Sequence, residues 1–400
     1  MFLFDNFQKI IYHDFMNNFV TLEYLDDYDE KALADAVEKS FANLGIKNFF
    51  KPKMKVILKV CMPKDVSADF AESTNPAVVK AIADYLDKLD ITCIVVDCPK
   101  NKHSNTYLNE VYLSTGMLNM ANTTKCQLNQ NLAISTIEYP YGKKTKGITV
   151  LDVVNQADAI INIGKLKIKN TFGYVGACSN IFSFMPGEVQ NLILNRQRTL
   201  GDYNDYLIDM LEIFKSKLVL NVIDSVVALE AGNTPRMLNC LAMSQNPYSI
   251  DACILDILGI KYDNTLLRQA KNRELFDYNK PYKVIGEKIE KFKLDDFAKI
   301  DFDENNIIPF SKSYFRTHQQ RVVIDKNKCK GCRICSKICP TGAITMKYDK
   351  NNELYAEIDY KKCIYCNKCI AACPYSVIKH ETPSKYNSMI KKINKYNQEE

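Results

Sequence analysis

Between residues 50 and 260, short apolar runs alternate with stretches of helical period. "KVILKV" (55–60) reads as a buried strand. Asn75-Pro76 opens a helix, proline being favoured at the first position. Val78, Ile82, Tyr85, Leu86 and Leu89 form its apolar stripe. "ITCIVVDCP" (91–99) is the next strand, stopped by Pro99, and "NLAISTIEY" (131–139), "ADAIINIG" (157–164) and "KLVLNVID" (217–224) follow as strands. Asn246-Pro247 opens a helix with Ile250, Ile254, Ile257 and Leu258 on one face and Gly259 as its cap. Upstream, "DEKALADAVEKSFANLG" is a helix carrying Leu33, Val37, Phe41 and Leu44. The alternation predicts an α/β domain, a mainly parallel sheet covered by helices.

After residue 320 the pattern changes. "VVIDKNKC" aligns with "AEIDYKKC", and "CPTGAI" with "CPYSVI". Each half reads as strand, loop, short helix, strand, which predicts a small α+β domain built twice. The expected organisation is an N-terminal extension (1–19), the α/β domain (20–299), a linker (300–320), the duplicated domain (321–380) and a polar tail (381–400). Met16 is read as a start site in its own right.

The duplication carries the chemistry. Cys329, Cys332, Cys335 and Cys339 repeat the C-x2-C-x2-C-x3-C-P spacing of Cys363, Cys366, Cys369 and Cys373, with Pro340 and Pro374 after each fourth cysteine. In this spacing the fourth thiolate of each run ligates the other cluster. The expected sets are Cys329, Cys332, Cys335 and Cys373 for one [4Fe–4S] cube, and Cys363, Cys366, Cys369 and Cys339 for the second. Zinc sites favour paired C-x2-C units at longer separations. The segment resembles the bacterial-type two-cluster ferredoxins, which implies one-electron transfer. Tyr365 and Asn367 stand where that family commonly has small residues.

Fifteen cysteines, an odd number, argue against a disulfide framework and for a reducing, oxygen-poor setting. No run approaches the ~20 apolar residues of a membrane helix. The N-terminus meets Asp5 without a basic region, so the chain reads as cytoplasmic. The net charge of +6 is concentrated: residues 321–380 hold twelve Lys/Arg against five Asp/Glu. With two oxidised cubes that segment keeps a charge of about +3. Such a basic rim suits an acidic electron donor or acceptor, such as a flavodoxin or a separate ferredoxin. A merely solvated basic face is the alternative. Basic and aromatic residues do not interleave as nucleic-acid binding requires.

In open α/β sheets, sites form at the carboxyl ends of strands. Cys61 ends the first strand, Asp97-Cys98-Pro99 the second, and Asp224 the last; "GKLKIKN" after the fourth gives Lys165, Lys167 and Lys169. In one reading Lys165 and Lys167 bind a small anionic substrate, with Asp97 or Asp224 moving a proton. In another, Cys61, Cys98 and Cys178 hold a metal or third cluster. The plain alternative is capping carboxylates, solvated lysines and cysteines filling the core.

The stretches "VILKV", "STNPAVVKAI", "VVDCP", "ADAIINIGKLKIKN", "VGACSNIF", "GNTPR", "NPYSIDACILDILGI" and "YKVIGEKIEKF", in this order, resemble the family catalogued as domain of unknown function 362. The resemblance spans about 20–295. It implies an α/β domain for which a C-terminal two-cluster ferredoxin is a common companion, and no secure reaction. Lys169 stands where the family commonly has histidine, Cys61 where it has asparagine, and Ser179 where it has lysine. The expected function is an iron–sulfur oxidoreductase whose clusters pass electrons to the α/β site. The alternatives are a non-catalytic carrier whose α/β domain docks a partner enzyme, and clusters that serve structure alone.

Overall fold

A computed structural model describes residues 18–100, 103–169, 172–197, 199–298, 321–339, 342–360, 362–363 and 368–381. Met16, the segment 300–320, Pro340, Tyr365, Cys366, Asn367 and the tail from 382 lie outside the described residues. The chain divides into two compact units, one of Met1–Gly187 with Leu200–Asn306 and one of Glu188–Thr199 with Ile307–Glu400.

The first unit begins with β1 (Phe19–Tyr24), helix α1 (Glu30–Asn43), β2 (Lys55–Lys59), α2 (Pro76–Asp87), β3 (Thr92–Val96), α3 (Asn105–Ser114) and β4 (Gln127–Leu128). It continues with β5 (Ile134–Glu138), β6 (Gly147–Leu151), β7 (Ala159–Lys169), β8 (Gly173–Val175), α4 (Leu200–Phe214), β9 (Leu218–Glu230), β10 (Thr234–Ser244), α5 (Pro247–Leu258) and β11 (Lys283–Gly286). One mixed sheet runs β11-β1-β10-β9-β7-β2-β3-β4, with β8 added to β7. Its centre, β9-β7-β2-β3-β4, is parallel.

Local chemistry sets the helix ends. Asp29 accepts a hydrogen bond from Ala32 N at the start of α1, and Asn75 from Ala77 N just before Pro76 in α2. Gly259 closes α5 at φ +64°, a backbone setting that side chains disfavour. Leu33, Val37 and Phe41 of α1 and Val78, Ile82 and Leu86 of α2 pack with Val56 and Leu58 of β2 and Ile161 and Ile163 of β7. A second core holds Ile250, Ile254 and Ile257 of α5 with Leu22, Leu166, Ile223 and Ala242. Each such buried side chain contributes about 1.5–3 kcal/mol of transfer free energy.

Three strand expectations need correction. The run at 131–139 does form β5, but β5 pairs with β6 in a separate two-stranded sheet. β7 does not end before the lysines: Leu166 and Ile168 enter the core, so the strand runs on through Lys169. β9 likewise continues past Asp224 to Glu230, and antiparallel β10 follows it.

The second unit has two antiparallel pairs. β12 (Arg321–Ile324) pairs with β15 (Ile378–Glu381), and β13 (Ile344–Tyr348) with β14 (Leu354–Ile358). Short helices α6 (Ile334–Ile338) and α7 (Lys368–Ala372) follow the two cysteine loops. The buried core is small: Val322, Cys335, Ile344, Ala356, Ile358, Val377 and Ile378, with further cysteines packed against it. Among the described residues, no helix is long and apolar enough to cross a membrane.

Candidate iron–sulfur centre and lysine-lined site

In the second unit, Cys329, Cys332, Cys335 and Cys373 line one cavity of about 320 Å³. These are the four thiols that the spacing assigns to the first cube. Gly331 lies at φ +62°, and a Cβ there would meet Leu354 O at 2.6 Å, so glycine lets the loop pass close to β14. Arg333 is also left-handed, at φ +66°, and turns the loop into α6. Ile324, Met346, Ala356, Val377 and Ile378 form the apolar wall, while Lys330 and Arg333 add positive charge. A set of four soft thiolates around an apolar cavity fits an iron–sulfur cube. For the second set, Cys339, Cys363 and Cys369 pack against the same core, and Cys366 is outside the described residues. Ala343 N donates to Cys339 Sγ at 3.2 Å, a contact that stabilises a thiolate.

In the first unit the sheet carries ionic groups in its interior. Asp97, just past β3, accepts from Lys59 Nζ (2.9 Å), Ser183 Oγ (2.5 Å) and Met62 N (2.5 Å). Lys59 is fully buried and also donates to Val60 O and Ser183 Oγ. Asp97 therefore ties the ends of β2 and β3 to the segment around Ser183.

Lys165 and Asp224 are register partners on β7 and β9, and their side chains pair at 2.9 Å with 1% and 0% exposure. Asp224 also accepts from Tyr28 Oη and Asn75 N, while Lys165 donates to Tyr28 Oη. Burial pulls the Lys165 ammonium below its ordinary range, opposed by Asp224.

Two residues further along β7, Lys167 Nζ donates to Cys61 Sγ at 3.1 Å and to Glu72 O at 2.9 Å. Lys169 Nζ reaches both carboxylate oxygens of Glu72 at 2.9 Å, and Lys64 reaches one at 3.2 Å. Burial opposes the Glu72 charge, but Lys169, Lys167 and Lys64 outweigh it and hold the carboxyl below its usual range. Lys100 completes the group. It is partly exposed, and its Nζ lies 5.2 Å from the Phe172 ring centre. Burial and the Lys167 charge pull its ammonium down to about 8.

The residues expected to act together are thus divided. Lys165 and Asp224 form one buried pair, Lys167 belongs to the Cys61–Glu72 group, and Asp97 sits in the Lys59 network. Cys61, Cys98 and Cys178 do not converge. Cys178 donates to Pro247 O, its backbone N–H donates to Asp251, and burial pushes the Cys98 and Cys178 thiols up. Among the described residues, no three Cys, His, Asp or Glu side chains are placed to hold a single metal ion. Sequence reasoning missed Lys59, Glu72 and Lys100. Lys100 directly follows the "DCP" strand end, and that position was its signal.

A family model described as "Domain of unknown function (DUF362)" matches residues 56–256, just over half of the chain. The chain belongs to the DUF362 family. The stretch of the DUF362 chain that matches holds the lysines, Cys61, Glu72, Asp97 and Asp224. A model described as "4Fe-4S dicluster domain" matches residues 328–377, which hold all eight cysteines of the repeat. The DUF362 chain is 40% identical over 50 residues to an iron-sulfur subunit of the CoB–CoM heterodisulfide reductase of Methanocaldococcus jannaschii. That stretch covers 12% of this chain and 8% of the methanogen protein. Among solved structures, the chain is similar to the lactate racemase apoprotein from Thermoanaerobacterium thermosaccharolyticum, with TM-score 0.35 and 10% identity. The similarity covers 57% of this chain and 54% of that one. The protein is an iron–sulfur protein of ferredoxin type joined to a DUF362 domain.

Proposed function

We propose that the protein is an oxidoreductase in which two [4Fe–4S] clusters pass electrons to a small anionic substrate held by the α/β unit. The observation that carries this reading is the cavity lined by Cys329, Cys332, Cys335 and Cys373. When bound, the clusters supply one-electron transfer. The chain's own residues do the rest. Ile324, Met346, Ala356 and Val377 keep water from one set of thiols, and Ala343 N–H holds the Cys339 sulfur. On the α/β unit, Lys64, Lys100, Lys167 and Lys169 attract the substrate's negative charge. Asp97 and the Lys165–Asp224 pair act as positioning residues that fix the strands carrying these groups.

The second reading is a carrier that docks a partner enzyme, supported by the positive excess of residues 321–380 and by Lys330 and Arg333 beside the cavity. An acidic flavodoxin or ferredoxin suits that surface in either reading, and both place the protein in the cytoplasm.

The test is anaerobic. The holoprotein is titrated with dithionite and then with small carboxylates by calorimetry. Cluster bleaching together with carboxylate binding that Lys167→Ala and Lys169→Ala abolish supports the oxidoreductase. Bleaching without anion binding supports the carrier. Clusters that dithionite cannot reduce overturn both.

A further inference from the structure

We infer that Lys100 is a Schiff-base lysine, forming an imine with the carbonyl carbon of a 2-oxo acid whose carboxylate rests on Lys167 and Lys169. The inference rests on reading this face as the substrate site, and it names the substrate class.

A nucleophilic amine must be reachable, unengaged and neutral part of the time. The other lysines of the α/β unit's interior fail at least one of these conditions. Lys59 is enclosed by Asp97, Ser183 and Val60 O. Lys165 is buried in its pair with Asp224. Lys167 is occupied by Cys61 and Glu72 O, and Lys169 by Glu72 and Asn233. Lys100 differs. It is partly exposed, and among the described residues its Nζ has no hydrogen-bond or ion-pair partner, only the face of Phe172. Its surroundings are cationic, with Lys167 and Lys169 both acting on its charge. A lysine placed beside other cations in a partly dry site is activated as a nucleophile in this way. With its ammonium pulled down to about 8, roughly a tenth of Lys100 is neutral at pH 7, against under a thousandth for an ordinary lysine.

The chemistry balances without an oxidant or reductant. The neutral amine attacks the carbonyl carbon, forming a C–N bond. The carbonyl oxygen departs as water, carrying both amine hydrogens, and C=N replaces C=O. Protonation of the imine nitrogen makes an iminium that draws electrons from the neighbouring carbon. The substrate carboxylate takes the place on Lys169 that the Glu72 carboxylate now fills.

The experiment uses anaerobic holoprotein with pyruvate, the smallest 2-oxo acid, and cyanoborohydride, followed by peptide mass spectrometry. A reduced pyruvyl adduct is expected on the Lys100 peptide, with loss of that adduct in Lys100→Ala and Lys100→Arg. Acetone, which lacks a carboxylate, should label it far less. Unchanged cluster absorbance in the variants shows that they have folded. An adduct spread evenly over surface lysines, retained in Lys100→Ala, or formed equally with acetone overturns the inference. Pyruvate that binds by calorimetry but is never trapped removes the Schiff base alone. Pyruvate that neither binds nor is trapped removes the Schiff base and the substrate site together.

Discussion

Lys167 on β7 donates from Nζ to the sulfur of Cys61, 3.1 Å away, at the point where the chain leaves β2. An ammonium at that distance favours the thiolate, which is the reactive form. Burial instead pushes up the thiols of Cys98, Cys178, Cys240 and Cys253. In holoprotein with its clusters intact, Cys61 should be alkylated by iodoacetamide before these four. Lys167→Met should slow it about tenfold, in line with the loss of a neighbouring cation. Peptide mapping checks the order, and a Cys61 that reacts last contradicts it.

The Lys165–Asp224 pair is a stability matter. Both side chains are almost wholly buried, so removing one strands the other charge without water. Asp224→Ala should cost about 3–5 kcal/mol. Urea unfolding of the α/β unit, followed by tyrosine fluorescence because the chain has no tryptophan, measures this. A shift within experimental scatter would show that the pair is not buried as described.

Lys100 gives a pH signature. Its ammonium sits at about 8 in the folded chain against an ordinary 10.5. Between these values the unfolded chain binds the extra proton, so stability contributed by this group rises with pH across that window and is lowest below it. Reductive methylation of Lys100 should accordingly climb through a midpoint near 8, while exposed lysines such as Lys125 react only at higher pH. Peptide-resolved labelling across pH reads both curves; coincident curves would remove the shift.

Much of this was legible in the sequence, and the parts that were not have physical reasons. Asn75-Pro76 and Gly259 announce helix ends because their backbone and side-chain chemistry is local. The cysteine spacing announces its ligand sets because a cube dictates its own geometry. The alternation in "ISTIE" is the same whether a strand joins the main sheet or, like β5, a hairpin half exposed to water. Lys59 within "KVILKV" reads as a solvated residue until Asp97, far along the chain, is seen to meet it. Glu72 and Lys100 were invisible for the same reason: their partners lie on β7, which is distant in sequence.

Gly331 tests the cluster loop. Alanine there must adopt φ +62° and place its Cβ 2.6 Å from Leu354 O. The strain of a left-handed alanine, about 1 kcal/mol, adds to that clash. Gly331→Ala should therefore lose iron from the set formed by Cys329, Cys332, Cys335 and Cys373. Iron retained at the wild-type level would show that this loop does not close around a cluster.

The central claim is that the two matching cysteine runs hold two [4Fe–4S] clusters, and metal and acid-labile sulfide counts on anaerobically purified protein test it most directly. The account predicts about eight irons and about eight sulfides per chain, with charge-transfer absorbance that dithionite bleaches. A colourless protein holding zinc and no sulfide would contradict it.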